Sequence, residues 1–395
     1  VSILTFREAR DRVLSEVRTY RKPLAQERVP LEQASGRVVA VDVRADRDFP
    51  AVTRSVRDGF ARQAGPAARL RVIGEVKAGE QFGAEVQAGE AVEIMTGAPI
   101  PGGCNAVVMV EHCTAHPDGS VDAPACQTGQ FLSHQGEEAR SGQVLLPSGT
   151  RLNFAHIGVL SAAGYAIVPV YPRLRVAIIA TGDELCEIGS TPRPHQIRNS
   201  NAYALAAQVQ RAGAEPEMLP IAPDQLEATY ALVERGLKAD LLLLSGGVSA
   251  GKYDFVEHAL KQAGAEFYFD RVAIQPGQPL VFGKARGTFF FGLPGNPGST
   301  MVTFELFARP ALEFLSGVEQ PVPPLPYGVL ATDYRHKTGL TRFLPANLDS
   351  EGKLTPVPWH GSGDVPALGR ANAWMVVDPD REAWCQGDTM PVILL

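Results

Sequence analysis

The stretch "LLLLSGGVSAGKYDF", residues 241–255, restricts the possible folds of this chain more than any other. Four consecutive leucines cannot alternate between a wet and a dry face. They read as a strand buried on both sides, the condition of a parallel sheet covered by helices. "RVAIIA" at 175–180 and "TFFFGL" at 288–293 share that character, and helical stretches fall at 200–212, 224–236, 254–263 and 298–316. Residues 173–316 are therefore expected to form an α/β domain with a mainly parallel sheet.

In an open sheet of this kind, ligands bind beyond the carboxyl ends of the strands. Three loops follow those ends, "TGDEL", "SGGVSAGKYD" and "LPGNPGS", and they are expected to converge on one crevice. Their glycines let successive backbone N–H groups approach an anion, and Ser299 and Thr300 open a helix pointing the same way. The plainer reading is a set of ordinary turns with Ser or Asp caps. Asp183, Glu184, Asp224 and Asp254 lie at strand-to-helix junctions, where carboxylates can hold a divalent cation against a polyphosphate. Asp224 also suits an N-cap with Glu227 at the capping-box position, and Asp254 suits a cap of "FVEHALKQ". The adjacent Asp183 and Glu184 repel unless a cation or donor is near.

Two familiar patterns overlap in the opening stretch, and neither holds. A phosphate-binding G-x-x-x-x-G-K-[ST] requires a magnesium-binding hydroxyl after the lysine, and Tyr253 stands there. The G-x-S-x-G around Ser249 has His336 and His360 downstream, but the aspartates weighed as its acid, Asp270 and Asp333, follow no clear late strand of the sheet.

The flanks differ in rhythm. With 395 residues, 45% hydrophobic and 20% charged, the chain can bury cores for two to four domains. "FREARDRVLSEV" reads as an amphipathic helix and "VPLEQASGRVVAVDVRA" as β-like. From about 65 to 150, short β-like runs are broken every eight to twelve residues by glycine or proline. "EQPVPPLPYG", 319–328, reads as a linker before a small C-terminal β domain. Five cysteines without C-x-x-C and eight histidines without H-E-x-x-H argue against disulfide and zinc sites. A formal charge of -6 argues against a nucleic-acid coat. No long apolar run offers a membrane span, and "VSILTFREARDRVL" carries charge too early for a secretory signal, so a soluble cytoplasmic protein is expected.

"LLLLSGGVSAGKYD", "VAIIATGDEL", "VAIQPGQPLVFG" and "FGLPGNPGST" resemble the molybdopterin molybdenumtransferase (MoeA) family, to which the C-terminal domain of gephyrin is related. The likeness continues through "SVRDGFA" (55–61), "EIMTGAPIPGGCNAVVMVE" (93–111) and "GEEARSGQVLLPSGTRL" (136–152). It implies four domains: a discontinuous elongated domain at 1–45 and 147–172, a β-rich domain at 46–146, a domain at 173–316 resembling the adenylyltransferase MogA, and a β-barrel-like domain at 317–395. It also implies a cytoplasmic homodimer that inserts molybdenum from molybdate into adenylylated molybdopterin, releasing AMP with Mg2+ present. The alternative is a noncatalytic relative that binds the pterin or serves as a dimeric scaffold. The molybdopterin adenylyltransferase is a candidate partner.

By motif position, the resemblance assigns catalytic roles to Asp58, Glu138, Glu184, Asp224 and Asp254, and Mg2+ to Asp183, Glu184 and Asp224. It assigns substrate contacts to Thr96 and Gly97, to Thr181 and Gly182, to Ser245, Gly246, Gly247 and Ser249, and to Arg271, Gln275 and Gln278. Pro294, Gly295, Asn296, Pro297 and Ser299 complete the set. In a dimer, the acids of the second domain are expected to reach the partner's crevice. Where many relatives carry "KPGKP", this chain has "QPGQP", so amides replace charge near the molybdate position and Arg271 keeps a basic group close by. The arginines that often precede the "GE" motif are replaced in "FLSHQGEE", "DNSAMDGY" is replaced by "VTRSVRDGF", and a late "GR" reads Gly339-Leu340 with Arg342 nearby.

Overall fold

The computed structural model describes residues 3–20, 24–247, 255–322 and 325–395. Its central layer is a six-stranded sheet. The elements in chain order are β1 (Arg175–Ala180), α1 (Ser200–Arg211), β2 (Glu215–Met218), α2 (Leu226–Gly236), β3 (Leu241–Ser245), α3 (Phe255–Gln262), β4 (Glu266–Phe269), β5 (Val281–Ala285), β6 (Thr288–Leu293) and α4 (Pro297–Thr303). The strand order is β2-β1-β3-β6-β5-β4. The first four run parallel, β5 runs antiparallel to β6, and the edge strand β4 runs antiparallel to β5.

The four leucines of β3 explain themselves once both faces are covered. Leu241 and Leu243 enter one core with Val176, Ile178 and Phe291, whereas Leu242 and Leu244 enter a second with Ala177, Ile179 and Phe290. All four are fully buried, each stabilising the fold by roughly 2 kcal/mol. Helices α2 and α3 cover the second face. On the first lie α1, the N-terminal helix Phe6–Tyr20 through Ala9, Val13 and Val17, and the long helical segment that begins with α4.

That segment runs to Leu315 through a π-helical turn at Phe304–Ala308, where Arg309 N–H reaches back to the Phe304 carbonyl. The wider turn precedes Pro310, which has no N–H to give to the turn before it, and ordinary α-helical pairing resumes over Arg309–Leu315.

The flanking segments 27–44 and 144–170 come together. Strand Glu27–Pro30 pairs antiparallel with Ile167–Val170, Val43–Arg44 pairs with Val144–Leu146, and one core holds Val29, Val39, Leu152, Leu160 and Val168. Between them, in sequence, stands a six-stranded sheet of Ala106–Met109, Gly59–Arg62, Glu90–Ile94, Ala68–Val76, Ser120–Ala123 and Thr114–Ala115, with a core on each face.

At the C-terminus, strands Thr341–Leu348, Lys353–Pro356, Tyr327–Leu330, Thr389–Leu394 and Ala373–Val377 close into a barrel, since Ala373–Val377 pairs back onto Thr341–Leu348. The short strand Ile274–Gln275, sent out from the central layer, adds to this barrel parallel to Thr341–Arg342. Central layer and barrel are thereby joined at the sheet's carboxyl rim. Among the described residues, no helix is long and apolar enough to cross a membrane.

Candidate functional site

A cavity of about 670 Å³ opens at that rim. Thr181, Gly182 and Glu184 reach it from the loop after β1, Gly246 and Gly247 from the loop after β3, and Pro294, Gly295 and Asn296 from the loop after β6. The expected convergence of three loops is met. Asp224, Gln275, Gln278 and Ser299 also line it.

Backbone geometry makes the glycines necessary here. Gly246 has φ +89°, and a Cβ on it would lie 2.7 Å from the Thr181 carbonyl oxygen, while a Cβ on Gly247 would lie 2.7 Å from Val256. The double-glycine turn thus settles directly on the β1 loop and on α3. The Thr181 hydroxyl sits beneath that turn, buried and without a hydrogen-bond partner among the described residues. Gly182, φ +136°, lies under the Glu184 carboxylate, which a Cβ there would strike.

The acids divide their work. Asp183 Oδ1 accepts the backbone N–H of Asp224 (3.1 Å), tying the β1 loop to the segment before α2. The cap alternative for Asp224 fails: the N-cap of α2 is Gln225, and no side chain caps the helix. The Asp224 carboxylate is left beside the cavity with that of Glu184, and neither accepts a hydrogen bond from a described residue. Two carboxylates at a rim of glycines suit Mg2+, which takes one or two protein carboxylates and completes its shell with water and phosphate oxygens. Among the described residues, no group of three or more His, Cys, Asp or Glu forms an all-protein cage.

Other expected site residues stand elsewhere. Ser245 is buried below the cavity and Pro297 begins α4 beside it, whereas Arg271 is exposed outside the lining. Asp58 and Thr96 meet each other: Asp58 Oδ1 accepts from Thr96 N (2.6 Å) and Thr96 Oγ1 (2.7 Å), which holds the Asp58 carboxyl below the usual carboxylate range. Gly97 follows with φ +84°, and Glu138 pairs with Arg54 at 2.8 Å. These four belong to the N-terminal β-rich region and line no part of the cavity. Ser249 and Asp254 lie outside the described residues. The histidines weighed as hydrolase bases are engaged otherwise: His336 Nδ1 accepts from Arg342 Nε (3.0 Å), and His360 Nδ1 lies 3.2 Å from Asp364.

Sequence reasoning missed two contributors. Asn201, in the first turn of α1, donates through Nδ2 to Ser245 Oγ (2.9 Å) and to the Gly295 carbonyl (2.7 Å), bracing two cavity loops against each other. The string "RNSN" discloses only the cap, which Asn199 supplies to Ala202 N–H. The second contributor is the barrel segment 359–362, where Trp359, Gly361 and Ser362 line the cavity with Leu340. Ser362 accepts from Gly298 N–H through its carbonyl (2.8 Å), and its hydroxyl accepts from Asn296 Nδ2 (3.0 Å). Nothing local in "PWHGSGD" marks it, because its role depends on tertiary contact.

Comparison with known proteins places this architecture. Residues 4–164 match the MoeA N-terminal region (domain I and II), 177–313 a probable molybdopterin binding domain, and 327–395 the MoeA C-terminal region (domain IV). The chain is 37% identical to the molybdopterin molybdenumtransferase of Bacillus subtilis (strain 168) over 401 residues, covering 98% of this chain and 93% of that one. It is 31% identical to that of Haemophilus influenzae over 400 residues, covering 99% and 98%. The crystal structure of the molybdopterin biosynthesis MoeA protein from Pyrococcus horikoshii OT3 superposes over all of both chains with TM-score 0.84 at 28% identity. The chain belongs to the molybdopterin molybdenumtransferase family, the MoeA proteins.

Proposed function

We propose that this protein is a molybdopterin molybdenumtransferase of molybdenum cofactor biosynthesis, which inserts molybdenum from molybdate into adenylylated molybdopterin and releases AMP. The observation that carries the reading is the convergence of three glycine-rich loops and two unpaired carboxylates on one cavity in a chain of this family. The substrate's pyrophosphate needs donors and a cation, and the thiolates that take the metal belong to the substrate. The chain needs no nucleophilic cysteine of its own.

Each residue then has a physical task. The turn at Gly246 and Gly247 lets the main chain approach the pyrophosphate closely, with the Gly247 N–H left to donate while that of Gly246 is held by the Leu293 carbonyl (3.1 Å), and Asn201 keeps the turn in register with the Gly295 loop. Gln275 and Gln278 donate amide hydrogens to the tetrahedral oxyanion without adding charge. Glu184 and Asp224, with Asp183 bracing Asp224, would hold Mg2+, which neutralises charge on the opening phosphoanhydride. Ser249 and Asp254 are assigned to the same crevice on motif position alone.

The reading includes a homodimer in the cytoplasm and an adenylyltransferase that supplies the substrate. Helix Phe154–Ala162 supports an interface, since Phe154 is 90% exposed and Ala155 and Gly158 are exposed beside it. Asp58, Thr96, Gly97 and Glu138 then serve the partner's cavity. Incubating purified protein with adenylylated molybdopterin, molybdate and Mg2+ tests the reaction: AMP appears by chromatography and is lost when molybdate or Mg2+ is omitted. Tight binding of the pterin without AMP release assigns a noncatalytic relative instead.

A further inference from the structure

We propose that Trp359 is the platform on which a planar heterocycle of the ligand stacks, a role that rests on the reading of this cavity as the site of a nucleotide-tagged pterin. Among the described residues lining the cavity, Trp359 is the one aromatic. It is partly buried, and it comes from the barrel side, opposite in origin to the polar loops of the central sheet. On the same side stand Leu340 and, from the strand that joins barrel to sheet, Ile274, Pro276 and Pro279. The cavity thus joins the donors and acids of the sheet rim to an apolar patch crowned by an indole on the barrel side, where Gln275, Gln278 and Ser362 are the polar exceptions. That division suits a ligand with a charged phosphate part and a flat apolar part.

The indole is held before any ligand arrives. Behind it, Trp374 is buried and meets it edge-on, with ring centroids 6.5 Å apart and planes at 71°. The loop carrying it is closed by Asp364, which accepts from His360 N–H and Ala367 N–H at 3.1 Å each, while Asp364 N–H donates to the Gly361 carbonyl (3.0 Å). Its far side is pinned to the first turn of α4 by the two Ser362 bonds. Gly298 allows this close approach, since a Cβ there would lie 3.0 Å from the Ser362 carbonyl oxygen and 3.4 Å from the indole, so that the loop or the helix would have to give by a few tenths of an ångström. A rigid aromatic face costs little ordering entropy on stacking, so the interaction appears in affinity nearly whole.

The test is titration calorimetry with AMP, ribose 5-phosphate, a pterin phosphate and inorganic pyrophosphate, against the wild-type chain, Trp359→Leu and Trp359→Phe. Trp359→Leu should weaken a heterocyclic probe about tenfold, Trp359→Phe should restore most of that, and ribose 5-phosphate and pyrophosphate should shift less than about twofold. Fluorescence gives an independent reading: of the three tryptophans, Trp374 and Trp384 are 1% and 5% exposed, so contact quenching by AMP should be largely lost in Trp359→Leu. A loss confined to AMP assigns the adenine to this face, and a loss confined to the pterin phosphate assigns the pterin; either supports the stacking role. Equal weakening of pyrophosphate and the heterocyclic probes would identify Trp359 as a structural plug and overturn it. So would undiminished heterocycle affinity in Trp359→Leu, or no saturable binding of either heterocycle to wild type. None of these measurements requires turnover, so stacking without AMP release overturns the transferase reading alone.

Discussion

The central sheet and the sheet of residues 59–123 are both packed on two faces, yet they treat their acids in opposite ways. In the N-terminal sheet region each expected site acid is already satisfied: Asp58 by Thr96, Glu138 by Arg54. At the central rim, Glu184 and Asp224 face a cavity with no donor from the described residues. An acid answered by its own fold steadies a loop, whereas one left unanswered in a concave site is available to a ligand. The contrast predicts where substitution removes chemistry and where it removes structure.

The largest effect belongs to the unanswered acids. Glu184→Gln and Asp224→Asn should each lower the turnover number for AMP release by about 100-fold or more, because a cation-holding charge is lost where phosphate charge must be neutralised. Urea midpoints should stay at or above the wild-type value, since no described hydrogen bond to either carboxylate is removed. A midpoint that falls in step with activity would place these acids with the structural ones.

The shared-site reading bridges the two regions and can break the comparison. If Asp58 serves the partner's cavity, Asp58→Asn and Asp224→Asn are each inactive alone, yet a mixed dimer regains one site free of both changes. Unfolding and refolding an equal mixture should then restore roughly a quarter of wild-type activity. Recovery of none would confine Asp58 to the tie with Thr96.

The two regions also differed in how far the sequence disclosed them. The runs at 175–180, 241–245 and 288–293 announced their burial because a strand covered on both faces has no polar alternate, and the helices after them were legible to within two residues at most ends. Strands β4 and β5 were not foreseen, since "EFYF" and "VFGKA" are short and their antiparallel return is decided by packing at the sheet edge. The cavity's loops were readable because sheet topology places all carboxyl ends together. Its other wall was hidden: Trp359 and Ser362 follow β6 by more than sixty residues, and only closure of the barrel brings them to α4. Asp224 looked like a cap because Glu227 stood at the right spacing, but α2 begins at Leu226, two residues after Asp224.

Glycine substitutions measure the same contrast at a smaller scale. Gly246 and Gly97 both have positive φ, +89° and +84°. An alanine at 97 meets only Ala78 Cβ at 3.6 Å, an ordinary contact, so Gly97→Ala should cost about 1 kcal/mol of backbone strain. At 246 the added carbon also collides with the Thr181 carbonyl at 2.7 Å, and Gly246→Ala should cost about 3 kcal/mol by urea unfolding. Equal costs would mean the rim is no more tightly assembled than the N-terminal sheet.

The smallest effect tests the satisfied acid itself. Hydrogen bonds from the Thr96 hydroxyl and N–H hold the Asp58 carboxyl below its ordinary range, so the unfolded chain takes up that proton at a higher pH than the folded one. The stabilisation is therefore complete above the usual carboxylate pKa and drains away as the pH falls through the lowered folded value. Thr96→Val removes the hydroxyl and keeps the backbone donor, so it should lower the urea midpoint slightly at neutral pH. The gap should close as the pH drops below about 4, where the unfolded carboxyl is already protonated and the folded one begins to follow. At this exposed position the gap stays small and salt-sensitive. A gap independent of pH would show that Thr96 acts by packing alone, and the distinction between answered and unanswered acids would then rest on the central rim.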